Sequence, residues 1–269
     1  MGMLVMAGVT DSGRKRELNE DTFVIGGMIE NRGALSCEVP LEASVIQRYG
    51  LLAAVADGIG GHSAGNVASN LALNIISREL SLTDKAMTDQ DAIYNILNNS
   101  VVLASKKIYD MSLGSADLSG MGTTVAGLYF FRDTVYTFHA GDSRVYRLRH
   151  GGLLRMTKDH SYIQTLIDLG NISEEDAKTH PQRHRIANCL GGGMDACKPE
   201  ITDRFGCFEG DLFLVCSDGL TEMLDDAAIS DILGKEAPIA AKATMLIYEA
   251  NENGGEDNIS VLLIEVKAT

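Results

Sequence analysis

Three apolar runs in this sequence end abruptly on an aspartate. Leu51-Leu-Ala-Ala-Val-Ala runs into Asp57-Gly58, Leu212-Phe-Leu-Val-Cys-Ser runs into Asp218-Gly219, and the run from Val135 closes as His139-Ala-Gly-Asp142-Ser-Arg144. Two further acidic groups, Asn19-Glu20-Asp21 and Glu256-Asp257-Asn258, stand at the edges of other apolar segments. A carboxylate at the end of a strand buried on both faces is tolerated only with a partner. Carboxylates that meet without counter-charge repel one another, so if these meet, cations hold them. Hard oxygen ligands in quantity, with no His or Cys grouping at ligand spacing, select Mg²⁺ or Mn²⁺ over zinc or copper.

Glycine after the strand-end aspartate leaves a backbone carbonyl approachable, so Gly58 can offer its C=O to a second ion. Two ions about 3.5–4 Å apart, bridged by one carboxylate, hold and deprotonate a water for in-line attack on phosphorus. The chemistry implied is metal-assisted phosphoester hydrolysis. A phosphate also needs a cation that grips it. Arg16, five residues before Asp21 and in the loop that feeds the carboxylates, suits this because guanidinium binds two phosphate oxygens at once. Arg14 and Lys15 are expected in solvent.

The elements that must position these groups follow from periodicity. Leu4 to Val9 and Asp21 to Ile25 read as strands, and the stretch from Gly26 to Gly50 shows no clear period and reads as a loop or excursion. From Gly65 the period becomes helical, with Ala68, Leu71, Ile75, Ile76 and Leu80 on one face. A second helix, introduced by the capping signal Thr88-Asp-Gln-Asp91, carries the stripe Ile93, Ile96, Leu97, Val101, Ala104, Ile108, Met111. Thr123 to Phe131, Thr134 to His139, Arg144 to Arg149 and Leu153 to Met156 have the spacing of an antiparallel meander. Ser161 to Leu169 looks helical, and the polar, unperiodic Asn171 to Asn188 reads as part of a flap. Strands return at Glu200 to Phe205 and Leu212 to Cys216, helices at Asp225 to Leu233 and Ile239 to Asn251, and a last strand at Ile259 to Val266. Two mostly antiparallel sheets between helical layers use this order economically.

The totals narrow the class. The 269 residues are 45% hydrophobic and 22% charged, and no linker or charge block divides them, so one domain over 1–269 is expected. A net charge of −14 argues against nucleic acid or an anionic membrane as main partner. No signal peptide or run of membrane-spanning length is visible, which makes the cytoplasm the expected location. The five cysteines are odd in number and widely spaced, without a C-x-x-C. That argues against a disulfide framework or structural zinc site. None is followed by arginine six residues on, so the cysteine-phosphatase loop is absent too.

At this point the residues match a family. The chain resembles the PPM-type (type 2C) metal-dependent Ser/Thr protein phosphatases, in their bacterial-type pattern, over nearly its whole length. The matching stretches are Gly13-x-x-Arg16-x-x-Asn19-Glu20-Asp21, Asp57-Gly58-x-Gly60-Gly61-His62-x-x-Gly65-x-x-Ala68-Ser69, Gly120-Met-Gly122-Thr123-Thr124, Gly141-Asp-Ser-Arg144-x-Tyr146, Thr157-x-Asp159-His160-Ser161, Ser217-Asp-Gly-Leu220 and Gly255-x-Asp257-Asn258. The resemblance implies an α+β fold, a four-layer α-β-β-α sandwich of two mostly antiparallel sheets flanked by antiparallel helix pairs. It implies hydrolysis of phosphoserine and phosphothreonine on proteins with Mn²⁺ or Mg²⁺, two core ions and a weaker third. Asp57, Asp218 and Asp257 would take the first ion, with Asp57 bridging to a second that the Gly58 carbonyl also meets. Glu20 would act on the second ion's side, Asp21 as its outer partner, and Asp142 with Asp218 at the third. Arg16 would bind the substrate phosphate. Expected partners are phosphorylated Ser/Thr proteins opposite a Ser/Thr kinase, and a monomer is expected.

Two departures stand out. Where the eukaryotic branch has a histidine after Asp-Gly, proposed as general acid, this chain has Ile59, and His62 need not replace it. The segment Asn31 to Arg48 has no counterpart in the matching motifs and reads as an insertion, with the flap at about 159–190. Blander readings stand beside the sharp ones. Asp142 would only pair with Arg144 in a tight turn, Asp159 is as fit for a loop role as for a third ion, His62 helps begin a helix, His139 packs in its strand, and His160, His180 and His184 are solvated. A non-catalytic scaffold would retain the fold but lose ligands, and none is lost.

Overall fold

In a computed structural model, residues 2–60, 64–82, 85, 90–193, 197–202 and 204–268 are described. The strands are β1 (Gly2–Asp11), β2 (Thr22–Ile25), β3 (Met28–Glu30), β4 (Gly33–Pro40), β5 (Leu51–Ala56), β6 (Gly58–Ile59), β7 (Gly122–Thr123), β8 (Val125–Phe131), β9 (Thr134–Ala140), β10 (Arg144–Arg149), β11 (Gly152–Arg155), β12 (Glu200–Ile201), β13 (Phe205–Gly206), β14 (Leu212–Cys216) and β15 (Ile259–Ala268). The helices are α1 (Ser44–Arg48), α2 (Ala64–Leu82), α3 (Gln90–Leu113), α4 (Tyr162–Asp168), α5 (Glu174–Lys178), α6 (Asp218–Thr221), α7 (Asp226–Leu233) and α8 (Ile239–Glu252). One sheet runs β11-β10-β14-β15-β1-β4, the other β12-β9-β8-β5-β2-β3 with β13 also on β9. The expected α-β-β-α sandwich is what forms.

Its layers follow from the side each residue of a strand faces. In β5, Leu51, Ala53 and Val55 enter the core between the sheets, while Leu52, Ala54 and Ala56 meet α2 and α3. In β14, Phe213 and Val215 point inward and Leu212, Leu214 and Cys216 lie under α7 and α8. A strand covered on both faces is apolar at every position, which is why these two runs show no alternation. Cys216 is the small core residue expected of it, fully buried.

Several expectations need correction. The four strands read as one meander are two hairpins, β8-β9 in one sheet and β10-β11 in the other, and no pairing joins β9 to β10. The chain changes sheet at Gly141-Asp142-Ser143. Gly141 has φ of 118°, and a Cβ there would come within 2.6 Å of the Thr124 side chain, so glycine is what lets the crossing pass so close. Glu200 to Phe205 is two short bridges on β9 rather than one strand. Met111 is 42% exposed and leaves the buried stripe of α3. Within Asn171 to Asn188, α5 forms behind a capping box in which Ser173 and Asp176 satisfy each other's backbone N–H groups. The Thr88–Asp91 capping signal, except for the backbone of its last two residues, and His62 lie outside the described residues.

The stretch from Gly26 to Gly50 is an edge of the molecule's own sheet. β4 pairs with β1 from Met3↔Pro40 to Thr10↔Gly33, and Leu35, Cys37 and Val39 turn one after another toward the inter-sheet core. The alternation is real but is diluted by serine, cysteine and glutamate on a half-exposed edge. α1 follows and buries Ile46 completely. Ile46→Ala is therefore expected to cost about 2–4 kcal/mol in urea unfolding, the loss typical of a core cavity. A change below about 0.5 kcal/mol, as at an ordinary surface site, would mean the segment is an appendage.

Candidate metal centre

The register places the chemistry at one edge of the sandwich. Ala56 at the end of β5 faces Thr22 at the start of β2, and Ala140 at the end of β9 faces Val125. In the other sheet Cys216 at the end of β14 faces Val261 near the start of β15. Asp57, Asp21, Asp142, Asp218 and Asp257 each belong to a residue step just beyond one of these ends, so two sheets deliver their carboxyls to a common place.

Backbone bonds fix each arrival. The Asp57 carbonyl accepts from Thr124 N–H and Thr123 Oγ1, both at 2.8 Å, so β6 and β7 brace the strand end. Asn258, almost fully buried, is the hub of the other side. Its Oδ1 accepts from Glu20 N–H at 2.8 Å, and its Nδ2 donates to the carbonyls of Ser12 at 3.0 Å and Leu18 at 2.9 Å. The loop that carries Arg16 and Glu20 is thus tied to the strand that carries Asp257. Gly58 and Gly65 serve close approach. A Cβ on Gly58 would lie 2.8 Å from the Glu20 carbonyl and 2.2 Å from that of Gly65, and one on Gly65 would lie 2.7 Å from the Glu20 carboxyl carbon.

The carboxyls act on one another electrostatically. Burial pushes Asp57 well above the ordinary carboxylate range, with further upward pressure from Asp21, Asp218 and Asp142, and burial with the field of Asp257 raises Asp218. Asp142 is raised well above that range by burial and by Asp218. Asp21, wholly buried, is pushed up to about 7 by burial and by Asp218 and Asp257, although Ser217 Oγ donates to its Oδ2 at 2.8 Å. Arg16 donates to Asp257 Oδ2 at 2.8 Å, which raises its pKa, and the fields of Glu20 and Asp57 act on it as well.

The sequence-derived residues therefore come together: Asp57, Asp142, Asp218, Asp21 and Asp257 form one interacting cluster, with Arg16 and Glu20 at its margin. Three buried oxygens in it, Asp21 Oδ1, Asp142 Oδ1 and Asp218 Oδ1, have no hydrogen-bond partner. Carboxylates raised by one another and left with unsatisfied buried oxygens are a donor set that fits hard divalent cations. The ion pairs bear on Asp142 and Asp159. Arg144 does not pin Asp142; it grips Asp159 through Nε at 3.0 Å and Nη2 at 2.7 Å, with Arg155 as a second cation on that carboxylate. Asp159 is held in an ion-pair network with both arginines, the structural role expected of it as one alternative.

At the rim His184, expected in solvent, is bonded instead, to a residue that the sequence did not single out. His184 of the flap bonds Glu222 at 2.6 Å, and both feel Asp218. Neither lies in a motif, and only the fold of 160–188 over α6 reveals them. The flap root is paired, with Tyr162 N–H donating to Arg185 O and Ala187 N–H to His160 O.

Comparison with known proteins agrees with this geometry. A family model described as protein phosphatase 2C matches residues 37–246. The serine/threonine phosphatase stp of Listeria welshimeri is 36% identical over 257 residues, covering 95% of this chain and 93% of that protein. A Streptococcus agalactiae serine/threonine phosphatase structure superposes with a TM-score of 0.84 at 30% identity, over 97% of this chain and 99% of that one. The catalytic domain of the phosphatase PstP, solved with two manganese ions, superposes at 0.76 and 33% identity over the full length of both.

The raised carboxyls set a pH dependence for the metal-free protein. Between the ordinary aspartate value and the raised one, the folded state binds more protons than the unfolded state, so stability falls as pH rises. Stripped protein is expected to lose roughly 5–10 °C of melting temperature between about pH 4.5 and 7.5, and saturating Mg²⁺ or Mn²⁺ to restore it at the higher pH. In Asp218→Asn the metal-free loss should shrink and the restoration should disappear. A metal-free melting temperature that climbs over the same range would refute the clustering.

Proposed function

The chain belongs to the protein phosphatase 2C family, the metal-dependent serine/threonine phosphatases, and from that premise we propose which of its residues hydrolyse phosphoserine and phosphothreonine on proteins. The observation that carries the assignment is the meeting of five carboxyls from distant strands, with buried oxygens left unsatisfied, beside an exposed arginine. Asp57, Asp218 and Asp257 would hold one Mn²⁺ or Mg²⁺, and Asp57 with the Gly58 carbonyl a second, with Glu20 on that side. Asp142 with Asp218 would take a weaker third, and Asp21 steadies the set from behind through Ser217. Bound there, such ions supply Lewis acidity to the phosphoryl oxygens and lower the pKa of water so that it attacks phosphorus at neutral pH.

The chain's own residues do the rest. Arg16 is more than half exposed and has one N–H group on Asp257, so it can turn its planar fork to two phosphate oxygens and hold phosphorus over the carboxyls. Asn258 keeps that loop in register with Asp257. Ile59 brings no proton to the departing hydroxyl, and the titratable pair bordering Asp218 is His184 with Glu222. Among the described residues no helix is long and apolar enough to cross a membrane, and the acidic net charge suits a partner that is neither nucleic acid nor an anionic surface. The reading is a cytoplasmic, monomeric enzyme that works against a Ser/Thr kinase.

Hydrolysis of a phosphothreonine peptide by wild type with Mn²⁺, with Mg²⁺ and with EDTA tests this. Turnover should require metal and stop with EDTA, and Asp218→Asn should lose about 10²-fold or more in kcat. Arg16→Ala should lose roughly 10–100-fold in kcat/KM while metal affinity stays within about threefold. Metal binding without turnover on peptide or phosphoprotein would leave a scaffold as the better description.

A further inference from the structure

A groove that leaves the carboxylate centre along α2 is lined by amides. Asn66, Asn70 and Asn74 follow one another at four-residue intervals on α2 and, with Asn31 of the turn between β3 and β4 and Met111 of α3, border a volume of about 350 Å³. Val67 and Leu71, half-buried against the core beneath, complete its lining. Among the described residues no charged side chain lines it, although the chain carries a net charge of −14. The groove starts at the centre from two sides. Asn66 follows Gly65, on which a Cβ would lie 2.7 Å from the Glu20 carboxyl carbon, and Asn31 O accepts from the side chain of Asn19, the neighbour of Glu20, at 3.2 Å.

Hydrogen bonds within the groove orient these amides and decide what they still offer. Asn31 Nδ2 donates to Asn66 Oδ1 at 3.2 Å, and Asn74 Nδ2 donates to Asn70 Oδ1 and to the Asn70 carbonyl, both at 2.8 Å. The Nδ2 groups of Asn66 and Asn70 and the Oδ1 of Asn74 have no partner among the described residues. Positions four apart on a helix rise by about 6 Å, and alternate residues of an extended chain, whose main-chain groups face the same edge, repeat every ~6.6 Å. Two donors followed by an acceptor at that step therefore match two carbonyls and an N–H along one edge of an extended segment. Met111, 42% exposed, offers a flexible apolar contact to one of its side chains. An uncharged lining also meets a phosphate-bearing chain without the repulsion that an acidic one would exert.

We propose that Asn66, Asn70 and Asn74, with Asn31 steadying Asn66, dock the main chain of the phosphoprotein segment that flanks the phosphorylated residue. The proposal rests on the phosphatase reading and adds a hold on substrate that is indifferent to side-chain sequence, since the amides meet backbone groups. From Asn66 to Asn74 the groove is about 12 Å long, so about four extended residues fill it and a flank of roughly six reaches its end from the phosphate. It leaves the centre in one direction, so one of the two flanks is held and the other is not.

The test uses the full-length, Mn²⁺-loaded protein on three substrates: p-nitrophenyl phosphate, a phosphothreonine tripeptide, and that tripeptide extended by six uncharged residues on its N-terminal or its C-terminal side. Wild type should gain about tenfold or more in kcat/KM, chiefly through KM, from extension on one side only. Asn66→Ala and Asn70→Ala should each lose roughly 3–10-fold on the favoured extended peptide, and less than about twofold on the two substrates too short to fill the groove. Alanine is the better helix former, so both variants keep α2, and Asn95→Ala on the exposed side of α3 should lose nothing on any substrate. N-methylation of the flank's amides should cost wild type several-fold and Asn74→Ala less, since the acceptor is already gone. No gain from extension on either side would overturn the groove, as would losses in the asparagine variants that are as large on p-nitrophenyl phosphate as on the extended peptide. In both cases metal-dependent turnover of p-nitrophenyl phosphate and the tripeptide by wild type leaves the phosphatase reading standing, whereas its absence would overturn that reading and the groove with it.

Discussion

The repulsion among carboxyls gathered at one edge of the sandwich is the constraint on which the structure depends. Asp57, Asp142, Asp218 and Asp21 are all raised by burial and by neighbouring carboxyls, Asp257 among them. An isolated hairpin or helix pair could not hold them together. What holds them is the body behind: the inter-sheet core with Phe130 and Phe213 edge to face, and two further cores under the helices. Hydrophobic burial spread over the whole chain offsets an unfavourable local field, a common arrangement when function needs a site that would not form for stability alone.

The site was more legible in the sequence than the framework around it. Apolar runs that stop at Asp57 and Asp218 announce themselves, because a strand buried on both faces leaves nothing polar until its end. β4 was not legible, since an edge strand with one half-exposed face carries a weak alternation that Ser36 and Glu38 blur. Nor was the change of sheet at Gly141, because hairpin spacing says which strands are antiparallel and not which sheet receives them.

Two polar networks connect the site to its surroundings in different ways. Asn258 satisfies backbone groups of Ser12, Leu18 and Glu20 at once, so one buried amide sets the path of the loop that carries Arg16. Asp159 gathers Arg144 and Arg155, and Arg144 continues to the Tyr146 hydroxyl, which donates to Asp226 at the start of α7. The first network fixes where Arg16 can reach. The second leaves Asp142 unpaired by its neighbouring cation and so available.

The full-length pairing of β1 with β15 has a consequence for synthesis. Thr10 and Ser260 share a hydrogen bond across 250 positions of sequence, and β15 lies between β14 and β1 in the interior of its sheet. Contacts of such separation form late and make folding slow. On the ribosome, Asp257 is the last of the site's aspartates to emerge, and the strand that fixes it emerges after it. A nascent chain therefore has a gap in the middle of one sheet and an incomplete centre until β15 inserts. The place of Asp257 is therefore settled only in a late step, when β15 closes the sheet between β14 and β1.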